Sequence, residues 1–213
     1  MAATARRARQ KAILRREILD AARELFAREG YENVSMRKIA HKIDYSPTTI
    51  YLYFQDKFEL LRGICEETFG KLVAQFNEIE RTTSDPVERL KQAGRAYIEF
   101  GLKYPNHYKV TFISAPEPQD VKQNRHQGSA GETCFSHLRA MVEDCIKQKR
   151  FRDIDVDTAS QTLWAATHGL TSLLIAHPAF PWVQQDKLID HLLDLITRGL
   201  VIPESQAKES DTA

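Results

Sequence analysis

Strand signals are almost absent from this sequence. No alternating apolar and polar run is bounded by Asn-Gly or Asp-Gly, while apolar residues recur at spacings of three and four along most of the chain. A sheet-based fold is thereby excluded, and an all-α protein is predicted. Long apolar runs are missing too. Each is broken by His, Thr, Asp or Lys well before the ~18 residues that a membrane helix requires, and the charged N-terminal stretch has no apolar signal core behind it. The expectation is a cytoplasmic protein with no membrane partner. Cysteine is scarce: Cys65, Cys134 and Cys145 form no CxxC pair and sit in apolar helical contexts, which reads as buried reduced thiols rather than a redox centre. The seven histidines contain no HxxxH or HExxH, so neither a metal nor a cofactor is expected. There is no GxSxG, no phosphate-binding glycine loop and no distinctive carboxylate pair, so the chain is not expected to be an enzyme.

What is present is an uneven distribution of charge. The net charge of the 213 residues is only +1, yet up to Arg62 there are 13 Lys and Arg against 8 Asp and Glu, and the remainder carries 17 against 21. The first sixteen residues hold Arg6, Arg7, Arg9, Lys11, Arg15 and Arg16 without one acid, a composition suited to an arm lying on an anionic surface.

The periodicity predicts about nine helices. The first runs from about Lys11 to Glu29, with Leu14, Ile18, Ala22, Leu25 and Phe26 on one face and Gly30 at a left-handed C-cap. A short second helix is capped by Ser35 and buries Ile39, Ala40 and Ile43. Asp44-Tyr45 makes a turn, and Ser46 caps a third helix with Pro47 at its first position, ending near Phe54. Asp56 and Glu59 form a capping box for a long fourth helix to about Arg81, and Asp85, Pro86 and Glu88 open a fifth to about Tyr104. Pro105 starts a sixth. A polar surface loop from Ser114 to about Gly131 follows, then helices over roughly Glu132–Lys149, Asp155–Ala176 and Gln185–Leu200.

Helices two and three have the lengths of a helix-turn-helix unit braced by helix one. In such a unit the later helix enters the major groove, so its outer side must be polar and unburied. Only Ile50 and Phe54, four apart, need to face the core. Pro47, Thr48, Thr49, Tyr51 and Tyr53 are left to meet DNA, with Lys57 for a phosphate and Arg37 for longer reach.

The stretch "GYENVSMRKIAHKIDYSPTTIYLYFQDKFELL" resembles the DNA-binding segment of the tetracycline-repressor (TetR) family. The likeness extends over about Ile18 to Leu61: a serine before a short helix, "IA", a polar turn, then aromatic-x-aromatic-Phe followed by Lys and Leu. It implies DNA contacts at Ser35, Met36, Arg37, Ser46, Pro47, Thr48, Thr49, Tyr51, Tyr53 and Lys57. The sequence departs from the family where Asp44-Tyr45 replaces a glycine and a small apolar residue; aspartate tolerates the left-handed conformation, and Tyr45 is free to add a contact.

The resemblance also implies a C-terminal domain that binds a small molecule and dimerises. "YPNHYKVTF" and "WAATHGL" are similar to the C-terminal type named for its Trp, His and Gly, here Trp164, His168 and Gly169, with Gly169 open to close approach by another helix. Aromatic side chains on helices four to eight, Phe69, Phe76, Tyr97, Phe100, Tyr104, Tyr108, Phe112 and Phe135, with Trp164 and His168, are candidates to line an apolar or aromatic effector's pocket, or simply the core. On helix eight, Leu163, Ala166, Leu170 and Leu173 make one stripe and Trp164, His168, Thr171 and Ile175 another; on helix nine, Leu188, Leu192 and Leu195 are set beside Ile189, Leu193 and Ile196. A helix apolar on two sides needs two surfaces, so Trp164, His168, Thr171, Ile175, Leu188, Leu192 and Leu195 are assigned to a homodimer interface.

The sequence thus divides into a basic arm and DNA-binding domain over residues 1–60, an effector-binding and dimerisation domain over 61–202, and a disordered tail over 203–213. The implied function is a dimeric, ligand-responsive regulator, a repressor released from a palindromic operator. The alternative is a helical enzyme or partner-binding adaptor without sequence-specific DNA binding.

Overall fold

Every predicted cap is occupied, and the caps decide where the helices begin. The computed structural model describes residues 2–113 and 130–202, and among these it forms nine α-helices. They are α1 (Ala2–Glu29), α2 (Met36–Lys42), α3 (Pro47–Tyr51), α4 (Lys57–Thr82), α5 (Pro86–Lys103), α6 (Pro105–Tyr108), α7 (Ala130–Lys147), α8 (Val156–Ala176) and α9 (Gln185–Arg198). The expected loop over 114–129 and the expected tail over 203–213 lie outside the described residues. The hydroxyls of Ser35 and Ser46 each accept the amide three residues on, at 3.2 Å. Asp56 accepts the Glu59 amide at 2.7 Å, and Asp85 accepts those of Val87 and Glu88 at 3.0 and 2.9 Å. Gly30 (φ 81°) ends α1, and Asp44 (φ 56°) takes the left-handed conformation in the α2–α3 turn.

Two boundaries differ from expectation. Helix α1 starts at Ala2 rather than Lys11, because its apolar periodicity begins only at Leu14 whereas the Ala, Arg, Gln and Lys before it are strong helix formers with no breaker among them. Helix α7 begins at Ala130, two residues into the stretch read as loop. Helix α6 continues as a π-helical turn over Lys109–Ile113.

The described residues form two compact units, one reaching to Phe69 and resuming at Tyr104, the other Gly70–Lys103 with the residues from Ala130. This division of packing differs from the division of roles at residue 60. Leu61, Ile64 and, from the π turn, Val110 belong to the same core as α1 to α3.

In the first unit that core is built from Ile18, Ala22, Leu25 and Phe26 of α1, Met36, Ile39 and Ala40 of α2, Ile50 and Phe54 around α3, and Leu60, Leu61 and Ile64 of α4. Arg23, 8% exposed, reaches Asp20 at 2.6 Å and Glu67 at 2.8 Å, tying α1 to α4. In the second unit α5 packs on α7, α8 and α9. The approach of α9 is set by Gly94: a Cβ there would lie 2.6 Å from Leu193 Cδ2. By contrast nothing lies within 4 Å of where a Cβ would stand on Gly169. Ion pairs Arg89–Asp144, Lys91–Asp194 and Arg95–Asp190 fasten α7 and α9 to α5. No helix among the described residues is long and apolar enough to cross a membrane.

The three thiols are reduced, with Cys134 and Cys145 buried and Cys65 half-buried. Burial pushes Cys65 up to about 11 and the other two to about 12, so none is a ready nucleophile.

Because Ile50 is fully buried and is the one core side chain within α3, Ile50→Ala should cost ~2–5 kcal/mol, read as a lower urea midpoint, with α3 the first helix to lose amide-exchange protection.

Candidate nucleic-acid interface

A five-residue helix can be fixed in place by very little, and α3 is fixed by Ile50 and Phe54, 0% and 1% exposed. The rest of its surface is turned outward. Thr48 is exposed, Tyr51 is 53% exposed, and among the described residues neither has a side-chain hydrogen-bond partner. Thr49 and Pro47 are half-exposed; the Thr49 hydroxyl lies 2.9 Å from that of Ser46. Tyr53 is half-buried against the core.

On α2 the electrostatics are selective. Lys38 pairs with Glu29 and Lys42 with Glu24, both on α1. These contacts hold the Glu24 and Glu29 carboxyls below the usual glutamate range. Arg37 is exposed and, among the described residues, makes no ion pair. It is the one α2 cation left for a phosphate or base edge.

Two expected contact residues are placed differently. Met36 is 6% exposed and sits in the core, three and four residues before Ile39 and Ala40 on the same face, so it offers no surface. Lys57 is held against the α1–α2 connection: its ammonium donates to the Tyr31 carbonyl at 2.8 Å and lies 4.1 Å from the Tyr31 ring centroid. Ser35 and Ser46 stand at helix N-termini with their hydroxyls engaged as caps. The exposed face also holds a residue that pattern reasoning passed over: Leu52, 74% exposed and four after Thr48, shares that side of the helix. A leucine among aromatics reads as core, and only the anchoring of Ile50 and Phe54 shows that it must point away.

The ten aromatic and imidazole candidates for an effector site fall into two groups. In the first unit Phe69 and Phe112 meet edge to face at 5.2 Å, Tyr108 packs on Phe112 at 4.8 Å, and Tyr104 lies beside His107. Below them the buried Thr68 hydroxyl donates to the Ile64 carbonyl and lies 3.0 Å from His107 Nδ1. In the second unit Trp164 Nε1 donates to the Tyr97 hydroxyl at 3.3 Å, and the same oxygen is 3.2 Å from His168 Nδ1. His168 Nε2 is 3.2 Å from Ser172 Oγ, and Phe135 packs on Trp164. Phe76 and Phe100 are buried in that unit.

Of the residues assigned to a dimer face, Trp164 is 42% and Leu195 62% exposed, and His168, Ile175, Leu188 and Leu192 are half-exposed. Thr171 is not on that face. It is fully buried and donates to the Thr167 carbonyl at 2.7 Å. The inward line of α8 runs through Ser160, Leu163, Thr167, Thr171 and Leu174, and Leu173, expected on the stripe of Leu163, is 48% exposed.

With this geometry in place, comparison with known proteins is decisive for the family. Residues 18–64 match the pattern described as "Bacterial regulatory proteins, tetR family", and residues 90–196 match "Tetracyclin repressor-like, C-terminal domain". The chain belongs to the TetR family. It is similar to the HTH-type transcriptional activator FasR of Mycolicibacterium smegmatis, 26% identical over 178 residues that cover 83% of this chain and 75% of the relative. The nucleoid occlusion factor SlmA of Escherichia coli is 24% identical over 163 residues, 76% of this chain and 78% of that one. Among solved structures, the regulator FadR from Bacillus subtilis, in complex with stearoyl-CoA, superposes with a TM-score of 0.75 at 20% identity, over 86% of this chain and 98% of the other. This TetR-family chain is a DNA-binding transcriptional regulator and not an enzyme.

Burial depresses the His168 imidazole below the ordinary histidine range. A group depressed in the folded state contributes stability that is complete above the unfolded value, about 6.5, and is lost as pH falls through it. Wild type should therefore lose stability relative to His168→Gln between about pH 7 and pH 5, measured as the difference in urea midpoints across that range.

Proposed function

We propose that this chain is a ligand-responsive regulator that binds a palindromic operator as a homodimer, with α3 in the major groove and Thr48, Thr49, Tyr51, Tyr53 and Arg37 supplying the contacts. The observation that carries the reading is the outward face of α3: a helix anchored by Ile50 and Phe54, with Thr48 and Tyr51 making no side-chain hydrogen bond among the described residues. Threonine brings a hydroxyl for a base or phosphate and a methyl for thymine; tyrosine brings a phenol for phosphate. Leu52 adds an apolar contact on the same side. Ser35, Ser46 and Pro47 set the helix starts, where the positive end of each helix dipole favours a nearby phosphate, and Lys57 adds positive charge beside Tyr31.

The homodimer is supported by the apolar side chains that α8 and α9 leave uncovered: Trp164, Leu173, Leu188, Leu192 and Leu195. Two copies related by a two-fold axis would present two α3 helices to half-sites about one helical turn apart. Trp164, Tyr97 and His168, joined by hydrogen bonds, support a C-terminal domain of the Trp-His-Gly type.

The regulated state is proposed to be repression relieved by a small apolar effector, with a cytoplasmic location. The aromatic groups around Phe112 and around Trp164 suit an apolar or aromatic ligand. The stearoyl-CoA in the Bacillus subtilis FadR structure makes a long-chain acyl thioester the first class to try. A coupling of ~1–3 kcal/mol suffices for a several-fold to hundredfold change in operator affinity.

Selection of bound duplexes from a random library at about 150 mM salt, where purely electrostatic binding is suppressed, should enrich an inverted repeat. Tyr51→Ala and Thr48→Ala should each weaken binding to that repeat by roughly 5- to 150-fold, matching ~1–3 kcal/mol per contact, with the oligomer unchanged. Wild-type affinity in both variants would refute the assignment of α3. Leu192→Glu with Leu195→Glu should sediment as monomer; a persistent dimer would place the interface elsewhere. Titration of long-chain acyl-CoA into the complex should release the duplex from wild type, and a reporter fused to the selected repeat gives the sign of regulation.

A further inference from the structure

The N-terminal turns of α1 over residues 4–13 bury no side chain. Residues 4–13 are exposed all round, and no acid occurs before Glu17. Arg6, Arg7, Arg9 and Lys11 make no ion pair among the described residues, unlike Arg15, whose guanidinium lies 5.0 Å from the Phe54 ring centroid, and Arg16, which pairs with Asp20. Arg7, Lys11 and Arg15 follow one another at four-residue spacing, a like-charge arrangement that opposes helix formation unless an anion is shared between them.

A groove of about 460 Å³ lies along this part of α1. From α1 it is lined by Arg7, Lys11, Ile13 and the carboxylate of Glu17, and from either side of α3 by Tyr45 and Tyr53. Tyr45 is 43% exposed and immediately precedes Ser46, the cap of α3; Tyr53 follows α3. The groove therefore adjoins the reading helix at both of its ends. Two cations facing two phenols is a chemistry for a phosphodiester strand: the cations neutralise phosphate, the phenols donate hydrogen bonds, and the stems of Lys and Arg with Ile13 lie against sugar.

We infer that the groove between the N-terminal turns of α1 and Tyr45 and Tyr53 is a second DNA contact, in which Arg7 and Lys11 hold the sugar–phosphate backbone beside the site read by α3. The contact carries affinity and not sequence, and it rests on the reading of α3 as the groove-entering helix. It also assigns a role to Tyr45, which stands where the family usually has a small residue.

The test compares Arg7→Gln with Lys11→Gln, and separately Tyr45→Phe, against the charge-matched control Lys147→Gln with Lys187→Gln on the second unit. Each is titrated with the selected inverted repeat at salt from about 50 to 300 mM. Loss of two phosphate contacts should lower the slope of log affinity against log salt by roughly 0.9 for each, so about two per bound subunit. The preference for the selected repeat over a scrambled duplex should be unchanged, and Tyr45→Phe should weaken both duplexes equally. A slope equal to that of the control pair would overturn the groove contact while leaving the reading of α3 intact. A changed base preference in the Arg7/Lys11 variant would overturn its backbone role. If wild type fails to discriminate the repeat from the scramble, the reading of α3 falls, and with it a contact defined by its position beside that helix.

Discussion

The DNA-facing surface depends on a single constraint: α3 is held to its unit by Ile50 and Phe54 and by almost nothing else. Two side chains four apart define one line on a helix, and a line is enough to set rotation and tilt when the helix is one and a half turns long. Everything off that line is then free of packing duty. The Ser46 cap and Pro47 fix where the helix starts, and Asp44 in the left-handed region fixes the direction from which the chain enters. Were the core contact spread over more residues, the outer face would shrink by the same number.

Electrostatics refine what packing allows. A count of Lys and Arg up to Arg62 gives thirteen cations, but many are spent internally. Lys38 and Lys42 are neutralised by carboxylates of α1, Arg23 is buried between Asp20 and Glu67, and Lys57 is seated on Tyr31. Among the described residues, the cations of this stretch without an ion pair are Arg37, Arg62 and those of α1 from Arg6 to Arg15. These uncommitted cations orient an approaching polyanion before any base is touched.

Most of the first unit was legible in the sequence because its signals are local. Ser35, Ser46, Asp56, Gly30 and Asp44 each act within four residues of themselves, and each sits in the structure as its chemistry demands. Met36 was misread for the opposite reason. A long flexible side chain at the first position of a helix can turn either way, and only the space left by Ile39 and Ala40 draws it inward. The true start of α1 was hidden because periodicity reports burial, and a solvated helix has none to report.

The second unit resisted reading at its hydroxyls. The periodicity puts Thr171 on an outward stripe with Trp164, His168 and Ile175 and leaves Ser160, Thr167 and Thr197 off the apolar stripes, yet all four are buried. Each returns its hydroxyl to a carbonyl one turn back, at 2.7 to 3.0 Å. A group satisfied within its own helix presents only a methyl, or in serine a methylene, to the neighbour, so it packs like a small apolar residue at little cost. That moves the inward line of α8 by one residue from the line drawn through its leucines, and it exposes Leu173 instead of Thr171. The same substitution of small for large lets α9 come close at Gly94. Small and hydroxylated residues therefore mark the intramolecular side of these helices, and the large apolar ones, Trp164, Leu173 and Leu195, mark the side that the chain leaves open.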